Sequence, residues 1–179
     1  MSDKQPYTDL RLNIGCGKWT LDGWYNIDIA VSPLAAKQPD LICDIREIPL
    51  PDGCAVEAMA IHVWEHVDRW ECDKTMAEWA RLLKPGARLV LEMPDLMKCC
   101  RNILHGIEGK KPDQLGMWGL YGEPVGPLMQ HKWAWTYATI KPFLERHGFK
   151  EIHEERTEFH NSGRDVRDFR VTARKAVGA

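Results

Sequence analysis

The sequence has no long apolar run: nothing in its 179 residues approaches the roughly 20 apolar positions that a membrane span requires. It also has no basic excess. Lysine and arginine number 24 against 26 aspartates and glutamates, a net charge of −2, so polyanions are not generally attracted and a nucleic-acid partner is not expected. Metal-binding cysteine spacing is missing too. Cys16, Cys43, Cys54, Cys72, Cys99 and Cys100 form no CxxC pair, and reduced cytosolic thiols are the simplest account of them. The first ten residues, MSDKQPYTDL, lack the apolar centre of a secretion signal, and the protein is expected to be cytoplasmic, with no membrane partner.

What is present is a globular composition, 44% apolar and 28% charged, that suits one domain over residues 1–179 with a real core. Short apolar runs bounded by turn residues predict buried strands in LRLNI, WYNIDI, DLICDI, AVEAMAIHV and ARLVLEM. FKEIHEE and RDVRDFRVTAR predict two more near the C-terminus. Helical spacing marks VDRWECDKTMAEWARLL, stopped by Lys84, Pro85 and Gly86, and later LMKCCRNILHG and TYATIKPFLERHG. From 106 to 130 the texture changes: six of the fourteen glycines and three prolines fall there, which predicts an irregular, lid-like insertion. Strands alternating with helices predict an α/β, three-layer domain whose ligands bind beyond the carboxyl ends of parallel strands. No segment sets an oligomeric state.

In NIGCG, Gly15 and Gly17 leave the first strand, where glycine lets backbone approach a ligand closely. A dinucleotide fingerprint needs a further glycine at position 20, but Thr20 stands there. Asp28 closes the second strand, where two acceptor oxygens suit the hydroxyls of a ribose. Asp44 closes the third. Each has a plain reading as a turn or cap; in this order they describe a nucleoside pocket without a phosphate-binding lysine.

LNIGCG, GWYNIDI, CDIREIPLPDG, AIHVWEHV and EWARLLKPGARLVLEMPD, in that order, resemble the class I S-adenosylmethionine-dependent methyltransferases, particularly the type 11 branch. The resemblance covers residues 10 to 96, and HKWAWTYATIKPFLERHGFKEI is more loosely similar. It implies a Rossmann-like, seven-stranded, mostly parallel sheet with an antiparallel last strand, and S-adenosylmethionine as cofactor. It places Gly15, Cys16 and Gly17 along the methionine portion, Asp28 at the ribose, and Asp44 with the backbone of Ile45 at the adenine, with Ile29 also among the cofactor-binding residues. His62 falls where cofactor and acceptor meet, and Asn13 stands where many members carry an acid near the cofactor's ammonium group. Only nine residues run from Gly15 to Gly23, too few for a crossover helix, so the first connection is expected to be a loop with at most one helical turn.

Methyl transfer from a sulfonium needs donor and acceptor held in line, and a neutral oxygen or nitrogen acceptor can also need a base. Candidates are His62, His131 and Asp95. His131 has a plainer reading as a loop anchor, and Asp95 as a helix N-cap. Trp118, Tyr121 and Trp133, with Trp135 and Tyr137, are candidates to stack an acceptor, against the plainer reading of core and lid packing. Arg164, Arg167 and Arg170 suggest an anion patch, although Arg167 and Arg170 would face opposite sides of a strand. HVWEH fits the H-x-x-E-H pattern of zinc hydrolases, but His62 belongs to a strand tail, so His62 and His66 lack helical chelating geometry and no metal is expected.

The asparagine or aspartate with Pro-Pro and an aromatic seen in adenine amino methyltransferases is absent, as is a Pro-Cys nucleophile like that of cytosine C5 enzymes, which disfavours base methylation through those two routes. The reading is methyl transfer to an oxygen or nitrogen of a small molecule or sugar. The alternative is a catalytically silent S-adenosylmethionine-binding module that supports a partner protein.

Overall fold

The computed structural model describes residues 7–105, 112–123, 126–158 and 166–178. All seven expected strands form: β1 Leu10–Ile14, β2 Tyr25–Asp28, β3 Leu41–Ile42, β4 Ala55–Ile61, β5 Leu83–Pro94, β6 Phe149–Glu155 and β7 Asp168–Lys175. They make one sheet in the order β3-β2-β1-β4-β5-β7-β6. β1 to β5 run parallel, and β7 lies antiparallel between β5 and β6. This is the expected mostly parallel sheet, flanked by helices.

The helices are α1 Cys72–Leu82, α2 Leu96–His105, α3 Pro112–Tyr121 and α4 Tyr137–Arg146. Leu89, Leu91 and Met93 of β5, with Phe169, Val171 and Ala173 of β7, alternate onto one sheet face, where α1 and α4 cover them with Met76, Trp79, Ile140 and Phe143. Trp64, fully buried, joins these layers: its ring lies 5.1 Å from Trp79 and 5.8 Å from Phe143. On the other face, Glu92 of β5 with Arg170 and Thr172 of β7 carry polar groups beside Val90, and Arg170 reaches Glu92 at 3.0 Å. Thr136 caps α4 in a reciprocal pair with Thr139, and Pro142 sits inside that helix rather than at its start.

The connection from Gly15 to Trp24 contains turns and no helix, as its length requires. It is fastened instead by side-chain amides. Asn13 donates to the Trp19 carbonyl and to Asn26 Oδ1, both at 2.9 Å, and Asn26 also accepts from the Leu21 N–H at 2.8 Å. Both asparagines are buried, so this network replaces the crossover helix as the support of the glycine loop.

The expected irregularity of residues 106–130 is corrected over Pro112–Tyr121, which is the helix α3. Residues 106–111, 124 and 125 lie outside the described part. The glycines misled because they are packing residues. A Cβ on Gly116 would come within 2.6 Å of the Cys99 carbonyl and of Ile103, and one on Gly119 within 2.3 Å of Cys99 Sγ. Their absence lets α3 lie close against α2, which outweighs glycine's poor helix propensity.

Candidate active site

The carboxyl ends of β1, β2 and β4 and the loop after β3 converge on a cavity of about 850 Å³, within the range of small-molecule sites. Asn13, Gly15, Cys16, Gly17, Asp28, Ile29, Asp44, Ile45 and His62 all line it. The structure therefore brings together the whole set assigned to the cofactor. Gly15 has φ +68°, and a Cβ there would meet the two methyls of Val63 at 2.4 and 2.8 Å. Gly17, also at positive φ, donates its N–H to Asp28 Oδ2 at 2.7 Å, tying the glycine loop to the second strand end.

Asp44 is gripped by Arg46, whose guanidinium reaches its oxygens at 2.6 to 3.0 Å and holds its carboxyl below the usual range. The Ile45 carbonyl accepts from the Trp79 indole at 2.8 Å. These contacts fix the loop after β3 from its own Arg46 and from helix α1, which carries Trp79. Cys16 is buried, and its surroundings push the thiol up to about 11, so it is a neutral lining group. All six cysteines are free thiols.

His62 follows β4 at φ +55°, a conformation that a non-glycine residue keeps only when its surroundings impose it. The imposing contacts are two buried carboxylates: Nδ1 is 2.9 Å from Glu65 Oε1 and Nε2 is 3.2 Å from Asp168 Oδ2. Burial of the ring lowers its pKa, but the bonds to Asp168 and Glu65 prevail and raise it to about 9. Asp168, fully buried, is in turn paired with Arg167 through Nε and, at 2.8 Å, through Nη2. Burial would raise the Asp168 carboxyl; His62 and Arg167 bring it down to about 2. His62 is thus a fixed imidazolium between two carboxylates, which positions the cavity wall and leaves it no lone pair as a base.

The other candidates divide. Asp95 does not line the cavity; its Oδ1 accepts from the Lys98 N–H at 2.9 Å and caps α2. Trp118, Tyr121 and Trp133 are exposed and lie outside the lining of this cavity. From the same stretch of chain, Glu123, Leu128, Met129 and Lys132 do line the cavity. Trp135 is core, and Tyr137 donates to the Ile152 carbonyl. Arg167 and Arg170 are neutralised by Asp168 and Glu92, so they form no anion patch; Arg164 lies outside the described residues.

His131 does not line the cavity but reaches its rim from behind, with its ring 4.8 Å from that of His66 and its Nε2 3.9 Å from Glu65. Burial lowers its pKa. Sequence reasoning missed Trp19, which lines the cavity, and the buried Asp168 and Glu65 that hold His62. Glu65 was visible only as a member of HVWEH; Asp168 had no signal beyond its place in the charged strand RDVRDFRVTAR.

Residues 12–91 match a methyltransferase domain of type 11. A comparison with curated proteins finds no match. Among solved structures, the fold is similar to an S-adenosylmethionine-dependent methyltransferase from Archaeoglobus fulgidus, at 17% identity over 94% of this chain and 86% of that one, TM-score 0.65. It is also similar to the 1,6-didemethyltoxoflavin N1-methyltransferase of Burkholderia thailandensis, solved with its substrate and S-adenosylhomocysteine, at 14% identity over 95% and 72%, TM-score 0.61. A third, an S-adenosylmethionine-dependent methyltransferase from Methanosarcina mazei, shares 17% identity over 96% and 94%, TM-score 0.57. The matched segment runs from β1 into β5 and carries the glycine loop and both strand-end carboxylates, so this part of the chain is similar to methyltransferase domains, and the chain as a whole shares the fold of S-adenosylmethionine-dependent methyltransferases.

Proposed function

We propose that the protein transfers the methyl group of S-adenosylmethionine to an oxygen or nitrogen of a small molecule or sugar. The observation that carries this reading is the convergence of the glycine loop, Asp28, Asp44 and His62 on one cavity that continues to Glu123, Leu128, Met129 and Lys132. The donor set fits the cofactor: carboxylates and apolar walls suit a cationic sulfonium and a nucleoside better than a pyrophosphate. The cofactor supplies an already activated methyl group. Asp28 would hold the ribose hydroxyls, Asp44 and the Ile45 backbone the adenine, and the Gly15 to Gly17 backbone the methionine portion. His62, clamped by Asp168 and Glu65, would fix the wall beside the reacting end, where orientation supplies most of the rate.

The segment from Gly126 to Lys132 would act as the acceptor-side lid. The Burkholderia relative works on a small molecule, which favours an acceptor of that size. The silent-module reading draws on the absence of a free base in His62 and Asp95. Incubation with S-adenosylmethionine and pools of small hydroxyl, amine and sugar compounds separates the two. Acceptor-dependent release of S-adenosylhomocysteine is expected, whereas cofactor binding without product in every pool would favour the module.

A further inference from the structure

We propose that Glu65, His66 and His131 bind a divalent first-row transition ion, of the class of Zn²⁺ or Mn²⁺, at the rim of the cavity. One ligand atom of each lies within 4.8 Å of those of the other two. Atoms bound to a common ion at about 2.1 Å stand at most roughly 4.2 Å apart, so the widest pair must close by roughly half an ångström, a side-chain adjustment.

Three observations point to a cation. His66 Nδ1 lies 3.1 Å from the Gln130 carbonyl and His131 Nδ1 2.9 Å from the Gly119 carbonyl. A carbonyl only accepts, so each Nδ1 carries a proton, and in the neutral ring the lone pair is then on Nε2, the tautomer in which outer hydrogen bonds present metal-binding histidines. Glu65 is 2% exposed, and its Oε2 is buried with no hydrogen-bond partner among the described residues. A buried carboxylate oxygen left so is costly unless something positive meets it. Finally, the two halves of the site are joined by backbone: the Lys132 and Trp133 N–H groups both donate to the Glu65 carbonyl, at 2.7 and 3.2 Å. Gly122 leaves room for this junction, since a Cβ there would come within 2.8 Å of the His131 ring.

The H-x-x-E-H pattern thus contributes its last two members, and the second histidine comes from 65 positions beyond His66 rather than from His62. Two imidazoles and one carboxylate suit first-row transition ions and leave coordination positions open. His66 lines the cavity, so those positions would take water or an oxygen of the acceptor. This last role rests on the methyl-transfer reading; ion binding does not.

The test is titration of the full chain, stripped with a chelator, with Co²⁺ as a visible probe. One equivalent should saturate d–d bands without thiolate charge transfer. His66→Gln and His131→Gln should each weaken binding at least about 100-fold, by extension from the 10–100-fold cost of losing an outer-shell partner, while His153→Gln, on the exposed side of β6, should change nothing. No saturable band, a thiolate band, or an affinity in either ligand variant equal to that of the wild type would overturn the site. S-adenosylhomocysteine binding is measured on the same samples. Binding of the nucleoside without cobalt refutes the metal site alone; cobalt without the nucleoside supports the metal site and refutes the methyl-transfer reading.

Discussion

Replacing Asp168 with alanine is expected to destabilise the protein by about 3–5 kcal/mol, because removing one partner of a buried ion pair strands the others. Asp168 is fully buried and faces both Arg167 and His62, themselves largely buried. Alanine would leave a guanidinium without its counter-ion and His62 with Glu65 alone. At about 2–4 °C per kcal/mol for a domain of this size, the thermal midpoint should fall by roughly 6 to 20 °C. Urea unfolding followed by tryptophan fluorescence measures it. A loss below about 1 kcal/mol would mean that the pairing around His62 does not hold the fold.

The second large effect is expected at Gly15. Alanine there meets two separate costs: a left-handed backbone at φ +68° and contact with the Val63 methyls at 2.4 and 2.8 Å. The first is worth roughly 1–2 kcal/mol and the second roughly 1–3, together about 2–5 kcal/mol. The two can be separated, since Val63→Ala removes the clashing methyls and leaves the dihedral unchanged. In the double variant, Gly15→Ala should therefore cost less than in the wild type by roughly 1–3 kcal/mol, a coupling read from a double-mutant cycle. Strict additivity would show that Gly15 is required for its dihedral alone.

The fold was legible because the strands are short apolar runs between breakers, a pattern that reports burial on both faces. The loop after β1 was legible from arithmetic, since so few residues hold no crossover helix. The residues proposed to hold the cofactor lie in motifs local to strand ends: Gly15 and Gly17 after β1, Asp28 at the end of β2, Asp44 just beyond β3. What escaped depends on distant pairing. His62 meets Asp168, 106 positions away, and Glu65 meets His131 across 66; periodicity says that such residues are buried, not against what. Glycine density misled for the related reason that Gly116 and Gly119 serve α2, which no local window contains. Trp118, Tyr121 and Trp133 stand outside the cavity lining, which composition cannot foretell, because it counts rings without telling which side of a segment they face.

The central claim is that the cavity is an S-adenosylmethionine site with Asp28 as its ribose anchor. A thermal melt with and without S-adenosylhomocysteine tests it most directly, run on the wild type and on Asp28→Ala. At 100 times its dissociation constant, a ligand adds about 2.7 kcal/mol, which for this domain is roughly 5 to 11 °C in the midpoint. The wild type should show that shift and the variant, folded, should lose most of it at the same concentration. A folded wild type with no shift, or a variant stabilised as much as the wild type, would contradict the account.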